Sequence, residues 1–313
     1  MSRILITGAS GMIGRALVAS LAEDGAHEVI ATDLAPAEDM PSGVAFHRLD
    51  VTGEDPARVL AETRPEVVVH LASIVTPAPG MGRDLAYRVD VLGSRNILRA
   101  AQDSGVRRLV VTSSGAAYGY HADNPIPLRE SDPLRGNPEF PYADHKRQVE
   151  EMLEEARLSH PALEQVILRV GTVLGRGTDN QITALFRKKR LLAVTGSDSP
   201  FVFIWTRDLA RILIRAATDG PAGIYNVAGD GALSIPDLAA RLGRPVLRLP
   251  AWLLQGALAV AHPLRLSRYG PEQVRFLQYR PVLDNSALKS DFGYIPEKTS
   301  AEVFEFWRSE AQP

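Results

Sequence analysis

The sequence predicts an α/β fold: a doubly wound parallel sheet, followed by a smaller C-terminal region. Three observations predict it. Short β-rich runs alternate with helical stretches up to about residue 171. Several of those runs are almost continuously apolar, as strands are when helices cover both faces of a sheet. A glycine-rich turn, "ITGASGMIG" from Ile6 to Gly14, joins the first such run to the first helical stretch.

In order, "RILITG" (3–8) is the first strand and residues near 12–24 the first helix. "HEVIATD" (27–33), "VAFHRLD" (44–50) and "EVVVHLA" (66–72) are the next strands, the last preceding a helix near 84–104. "RLVVTSS" (108–114) and "EQVILRV" (164–170) complete the alternation, with a helix near 142–160 between them. The proline-rich stretch 123–141 reads as a long loop, of the kind that often borders a site. Past residue 171 the strand-like runs "LLAVTG", "FVFIW" and "GIYNVA" are scattered among helices near 207–218, 234–242, 251–261 and 300–309. The apolar segment "AWLLQGALAVA", Ala251 to Ala261, is too short to span a bilayer and is stopped by His262 and Pro263, so it is predicted to be a buried helix.

Composition narrows the function. The chain has 313 residues, 45% hydrophobic and 23% charged, with a formal net charge of −2. Such a balance gives no global attraction to nucleic acid or to an anionic membrane, and neither is an expected partner. With no cysteine there are no disulfides, thiolate nucleophiles or cysteine-based metal sites. The histidines form no ligand-like cluster with carboxylates, so no metal is expected. The start of the chain carries no apolar leader pattern, and a cytoplasmic location is expected. The basic run Arg187 to Arg190 reads as a solvated helix end.

The glycine turn carries the first chemistry. Gly8 permits a tight turn, Gly11 lets a pyrophosphate approach the backbone, and Gly14 lets helix and strand pack closely, with the helix N-terminus facing the phosphates. The next strand ends in Asp33, nineteen residues after Gly14, where a carboxylate accepts from an adenosine ribose and repels a 2′-phosphate. That favours NAD over NADP, with Arg15 the one nearby cation that favours NADP.

The second chemistry lies in "PYADHK", Pro141 to Lys146. On a helix Tyr142 and Lys146 share a face. An ammonium beside the phenol lowers its pKa from about 10, so Tyr142 reads as a general acid/base. His145, within the same motif, is predicted to face solvent or a partner, and Asp144 to serve the first turn of the helix.

With GxxGxxG upstream and YxxxK downstream, the chain resembles the extended short-chain dehydrogenase/reductase family, in its epimerase/dehydratase branch, which includes 3β-hydroxysteroid dehydrogenase-like members. The likeness covers nearly the whole chain, through "RLDVT" (48–52), "HLAS" (70–73), "VVTSSGAAYG" (110–119), "LRVGTVLG" (168–175) and "FVFIWTRDLARI" (201–212). It implies a Rossmann-type domain over 1–171 carrying the catalytic residues. Residues 172–313 would then be mainly substrate-binding, with some segments returning to the sheet.

The resemblance also places individual residues. Ser10, Met12, Ile13 and Leu34 would contact the cofactor beside the glycines and Asp33. Asp50 and Val51 would flank the adenine, Leu71, Ala72, Ser73 and Thr112 would line the crevice, and Val170 and Gly171 would flank the nicotinamide. Lys146 would also hold the nicotinamide ribose. The catalytic hydroxyl falls on Ser114, four residues before Tyr118, with Ser113 the alternative. Val75, Gly115, Ala116 and Thr172 would border the substrate. Two positions depart from the family: Asp90 stands where Asn is usual, and Thr172 where sugar-nucleotide members often carry Asn. The family pairs helices matching 84–104 and 142–160 into a four-helix bundle, which implies a homodimer.

The reaction implied is reversible hydride transfer at a secondary alcohol or ketone carbon. Gly115 and Ala116 follow Ser114 where dehydratases carry Asp-Glu, which argues against dehydration. A small or apolar alcohol is the primary expectation for substrate. A nucleotide-sugar 4-epimerase acting on a sugar nucleotide is the alternative, and a cofactor-binding sensor without catalysis is a third reading.

Overall fold

A computed structural model of the chain describes residues 1–75, 83–264, 266–267 and 270–310. Its centre is a seven-stranded sheet in which every adjacent pair is parallel. β1 (Arg3–Thr7) leads through the glycine turn into α1 (Met12–Asp24), then to β2 (Glu28–Asp33) and β3 (Ala45–Arg48). α2 (Asp55–Thr63) precedes β4 (Val67–His70). After α3 (Arg83–Tyr87) and α4 (Ser94–Asp103) come β5 (Arg108–Ser114), α5 (Pro141–Ser159) and β6 (Glu164–Val170).

The remaining elements are β7 (Thr172–Leu174), α6 (Gln181–Phe186), β8 (Leu191–Val194), β9 (Phe203–Trp205), α7 (Thr206–Ala217), β10 (Gly223–Val227), α8 (Ile235–Leu242), β11 (Val246–Leu249), α9 (Ala251–Ala261), α10 (Gln273–Gln278), α11 (Ser286–Ser290) and α12 (Ser300–Glu310). The sheet order is β10-β6-β5-β4-β1-β2-β3. Chain direction across the sheet reverses between β1 and β4, so the crevice at their carboxyl ends is the place where such sheets bind ligands.

Strands this apolar need cover on both faces, and both receive it. One face packs under α1 and α7 through Leu17, Val18, Leu21, Leu209, Ile212 and Leu213. The other packs under α2, α4 and α5 through Val59, Leu60, Ile97, Leu98, Val149 and Leu153. β10 joins the sheet edge beside β6. A separate aromatic cluster, including Phe186, Phe201, Phe203, Phe304 and Trp307, holds the elements beyond β6 together. Arg187 to Arg190 are exposed just after α6, as the sequence implies.

Two expectations are corrected. The helix expected over 84–104 is interrupted by a π-helical turn, Arg88–Gly93. The extra residue in such a turn is a common device at functional sites, and here Asp90 is buried within it. The second correction concerns α9, expected to be buried: none of its residues is, and Trp252 is 71% exposed. Its sequence is apolar on every side, so periodicity gives no sign of which face a neighbour covers.

His70, at the end of β4, shows how the sheet accommodates a buried polar side chain. Its Nε2 lies 2.9 Å from Ser94 Oγ, which itself donates to the Asp90 carbonyl at 2.6 Å. Nε2 is therefore the protonated nitrogen, and Nδ1 accepts from Thr7 Oγ1 at 2.7 Å. Burial, then the charge of Lys146, lowers its pKa to about 3, against an opposing pull from Asp90. The unfolded chain gains a proton near pH 6.5 that the folded chain refuses until about pH 3. The stability that neutral His70 contributes is complete above pH 6.5 and falls by about 1.4 kcal/mol per pH unit below it. Urea unfolding between pH 7 and pH 5 should therefore show a shallower loss of stability in His70→Gln than in the wild type; equal slopes would refute this role.

Candidate active site

The glycine turn is built as its sequence implies. Gly8 has φ +69°, and a Cβ there would lie 2.7 Å from the Ala72 nitrogen. A Cβ on Gly14 would sit 2.2 Å from the Gly8 carbonyl oxygen. These two glycines are required by the protein's own packing. Gly11 is different: it is exposed, and among the described residues beyond its chain neighbours a Cβ there would meet only the Gly8 oxygen, at 3.2 Å. Gly11 is also the N-cap of α1, with no side-chain cap and no acid in the first turn. The amides of the first turn, including those of Met12 and Ile13, thus have no capping side chain, and the open backbone at Gly11 fits a pyrophosphate.

Asp33 closes the other side of this turn. Its carboxylate accepts from the Ser10 amide at 3.0 Å and the Leu34 amide at 2.7 Å. With Ser10 and Arg15 it borders an open cavity of about 590 Å³. Leu34 is exposed on the same rim. Arg15 meets Asp39 at 3.7 Å, so the cation nearest Asp33's cavity already has a carboxylate beside it. Further along the crevice, Asp50 Oδ1 accepts from the amide and hydroxyl of Thr52, and Val51 packs under Gly93 of the π turn. The Leu71 amide donates to the Thr7 carbonyl, and the Ala72 amide approaches Thr7 Oγ1.

The β5 terminus separates the two candidate serines, because adjacent strand residues face opposite sides. Ser113 donates to Glu150, which also pairs with Arg169 at 2.8 Å; all three side chains are buried. Ser113 is thereby committed to an internal ion pair. Ser114 points the other way, caps the 3₁₀ turn Gly115–Tyr118 through the Ala116 amide at 3.1 Å, and acts on the Tyr142 hydroxyl to lower its pKa. Gly115 packs on Leu283: a Cβ at this glycine would lie 3.0 Å from Leu283 Cδ2, so the turn is closely fitted. Val170 pairs directly with Ser114 across the sheet, Gly171 follows it, and Thr172 begins β7 half-buried. Val75 is exposed, beside residues 76–82, which lie outside the described residues.

α5 starts at Pro141, so Tyr142 and Lys146 lie one turn apart near its N-terminus. Lys146 Nζ sits 5.7 Å from the Tyr142 ring centroid and donates to the Thr112 carbonyl at 2.9 Å. Burial pushes the Lys146 pKa down, against the charges of Asp90 and Glu150. Burial also raises the Tyr142 hydroxyl to about 12; the Ser114 hydrogen bond opposes this and the Asp90 charge adds to it. The motif alone implies that the ammonium eases ionisation of the phenol. That expectation is not met: burial and the Asp90 charge raise the phenol's pKa, and Lys146 is not among the groups that act on it.

His145 is the clearest correction. It is buried rather than facing solvent, with Nδ1 3.0 Å from Asp90 Oδ2 and an edge contact to Tyr87. The other Asp90 oxygen accepts from the Ser73 hydroxyl at 2.9 Å and the Ile74 amide at 2.8 Å. Burial alone would raise the Asp90 pKa, but the His145 bond, the Lys146 charge and these donors together lower it. The residue that departs from the family's usual Asn thus holds a negative charge behind the Tyr–Lys pair. The only sequence signal for this was the coincidence of a buried-helix acid and a motif histidine.

Sheet order and glycine turn define a dinucleotide-binding α/β protein. The chain belongs to the NAD dependent epimerase/dehydratase family, whose sequence profile matches residues 4–228. An uncharacterized protein of Mycobacterium tuberculosis is 28% identical over 96% of this chain and 82% of its own length. A UDP-glucose 4-epimerase of Mycolicibacterium smegmatis is 30% identical over 99% of this chain and 100% of its own length. Thermus thermophilus UDP-glucose 4-epimerase, crystallised with NAD, superposes with a TM-score of 0.72 at 25% identity, covering 98% of this chain and 99% of that one.

Replacing Asp90 by Asn removes a charge that raises the pKa of both Tyr142 and Lys146. In Asp90→Asn the apparent pKa governing kcat/KM for NAD-dependent turnover is expected to move down. A variant that is merely less stable, with an unshifted pH profile, would contradict that electrostatic role.

Proposed function

We propose that the chain is an NAD-dependent oxidoreductase that transfers hydride reversibly at a secondary alcohol or ketone carbon. The observation that carries the proposal is Tyr142 set beside Ser114, with the buried Lys146 one turn along α5 and its Nζ 5.7 Å from the Tyr142 ring centroid. When bound, NAD supplies the hydride acceptor and donor. Gly8, Gly11 and the α1 N-terminus would hold its pyrophosphate and Asp33 its adenosine ribose. Ser114 would bind the substrate oxygen as charge develops on it. Tyr142 would take the hydroxyl proton in oxidation and return it in reduction. A phenol held at about 12 is fully protonated at neutral pH, so the proton needed in reduction is present. Its work as a base depends on positive charge brought into the site.

A nucleotide-sugar 4-epimerase is the second reading, and two observations favour it. The Mycolicibacterium relative of that name matches end to end. Arg280, 8% exposed, lies between the rings of Phe201 and Phe276 at 3.9 and 4.7 Å and donates through Nη1 to Ser199. Among the described residues its Nε and Nη2 have no hydrogen-bond partner, and burial lowers its pKa to about 9. A buried guanidinium without a carboxylate suits an anionic substrate group. Both readings use the same hydride step and differ in whether the oxidised intermediate leaves.

The purified chain, supplied with NAD, is tested against secondary alcohols and against UDP-glucose. Accumulating NADH with ketone release identifies the dehydrogenase; sugar inversion without net NADH identifies the epimerase. Turnover of neither, with NAD still bound, would leave only a cofactor-binding protein and overturn the proposal.

A further inference from the structure

We infer that α9 is an interfacial anchor that docks this protein onto the surface of an anionic lipid bilayer. From Leu249 to Leu264 the sequence carries no Lys, Arg, Asp or Glu. α9 buries none of its residues; Leu254 and Leu258 lean half-buried toward the body, while Trp252 and Val260 are 71% and 63% exposed. Leu264 and Leu266, just beyond it, are 62% and 79% exposed. An 11-residue helix is only about 16 Å long, too short to cross a bilayer but suited to lie in its surface. No described helix is long and apolar enough to cross a membrane.

Charge complementarity selects the partner. The chain as a whole is slightly acidic, yet no Asp or Glu occurs between Asp237 and Glu272, where five arginines do. One of them, Arg241, is paired with Glu305, and Arg265 and Arg268 lie outside the described residues. Arg248 is exposed on β11, the strand that leads through Pro250 into α9. β11 pairs with β8, and β8 follows the exposed run Arg187 to Arg190. A basic surface and an uncharged, Trp-bearing helix therefore share one lobe. An anionic bilayer answers both at once, the headgroups taking the cations and the acyl boundary taking the apolar face. A second copy of this chain would bring the same positive charge to the interface and repel it. α9 also contributes Gln255 to a cavity of about 350 Å³ shared with Tyr120, Arg275 and Tyr279, so docking sets that opening beside the membrane.

The test is flotation of the full chain with vesicles of phosphatidylcholine alone and of phosphatidylcholine mixed with phosphatidylglycerol. The wild type is expected to float with the mixed vesicles, less so at high salt, with a blue shift in tryptophan emission. Trp252→Glu combined with Val260→Glu is expected to lose flotation while its thermal unfolding is unchanged. Lys188→Glu with Lys189→Glu is expected to lose the preference for anionic vesicles. If the α9 double variant unfolds, Trp252→Ala takes its place and is expected to float less than the wild type. A chain that stays soluble with both vesicles, or variants that float as the wild type does, would overturn the proposal. So would sedimentation showing that α9 instead joins two copies, with the association lost in Trp252→Glu.

Discussion

The site depends on one buried ammonium. Lys146 is enclosed by α5, β5 and the π turn, and its hydrogen bond runs to the Thr112 carbonyl rather than to a carboxylate. A buried cation is costly unless nearby charge or dipoles offset the loss of water. Here Asp90 and Glu150 supply that field from two sides, and each is held in place by other partners. Asp90 is held by His145, Ser73 and Ile74; Glu150 by Arg169 and Ser113. The arrangement fixes the first turns of α5, and with them the position of Tyr142 against Ser114.

The same arrangement links stability to the proposed chemistry. The Glu150–Arg169 pair takes Ser113 out of play and leaves Ser114 facing the crevice. Arg169 continues to the Tyr118 hydroxyl, which also donates to Asn226 beside the loop that ends at Pro141. The loop and the 3₁₀ turn after Ser114 are thus tied to the far edge of the sheet. Asp90 works against ionisation of Tyr142 while sustaining the charge on Lys146. Burial and Asp90 together keep the tyrosine protonated, and in the proposed reaction added positive charge would shift it toward a base.

Much of this was legible in the sequence, for physical reasons that differ from element to element. β5 and β6 have the predicted bounds because their apolar runs end at sharp changes in composition. The glycine turn was readable because Gly8 and Gly14 answer to hard sterics within a few residues. The failures are long-range. His145 meets an acid 55 positions away, and its place in "PYADHK" does not say which acid it meets. The π turn adds one residue to an otherwise regular helical pattern, which periodicity does not resolve. α9 reads as core because a uniformly apolar helix looks the same whether a protein or something else covers it.

All of the proposed chemistry turns on Tyr142, set by Ser114 and Lys146, moving the proton. Single-turnover hydride transfer in Tyr142→Phe, alongside NAD affinity for the same variant, isolates that role. Hydride transfer is expected to fall by about 10²–10⁴-fold with NAD affinity unchanged. Transfer at the wild-type rate, or a loss explained wholly by weaker NAD binding, would contradict it.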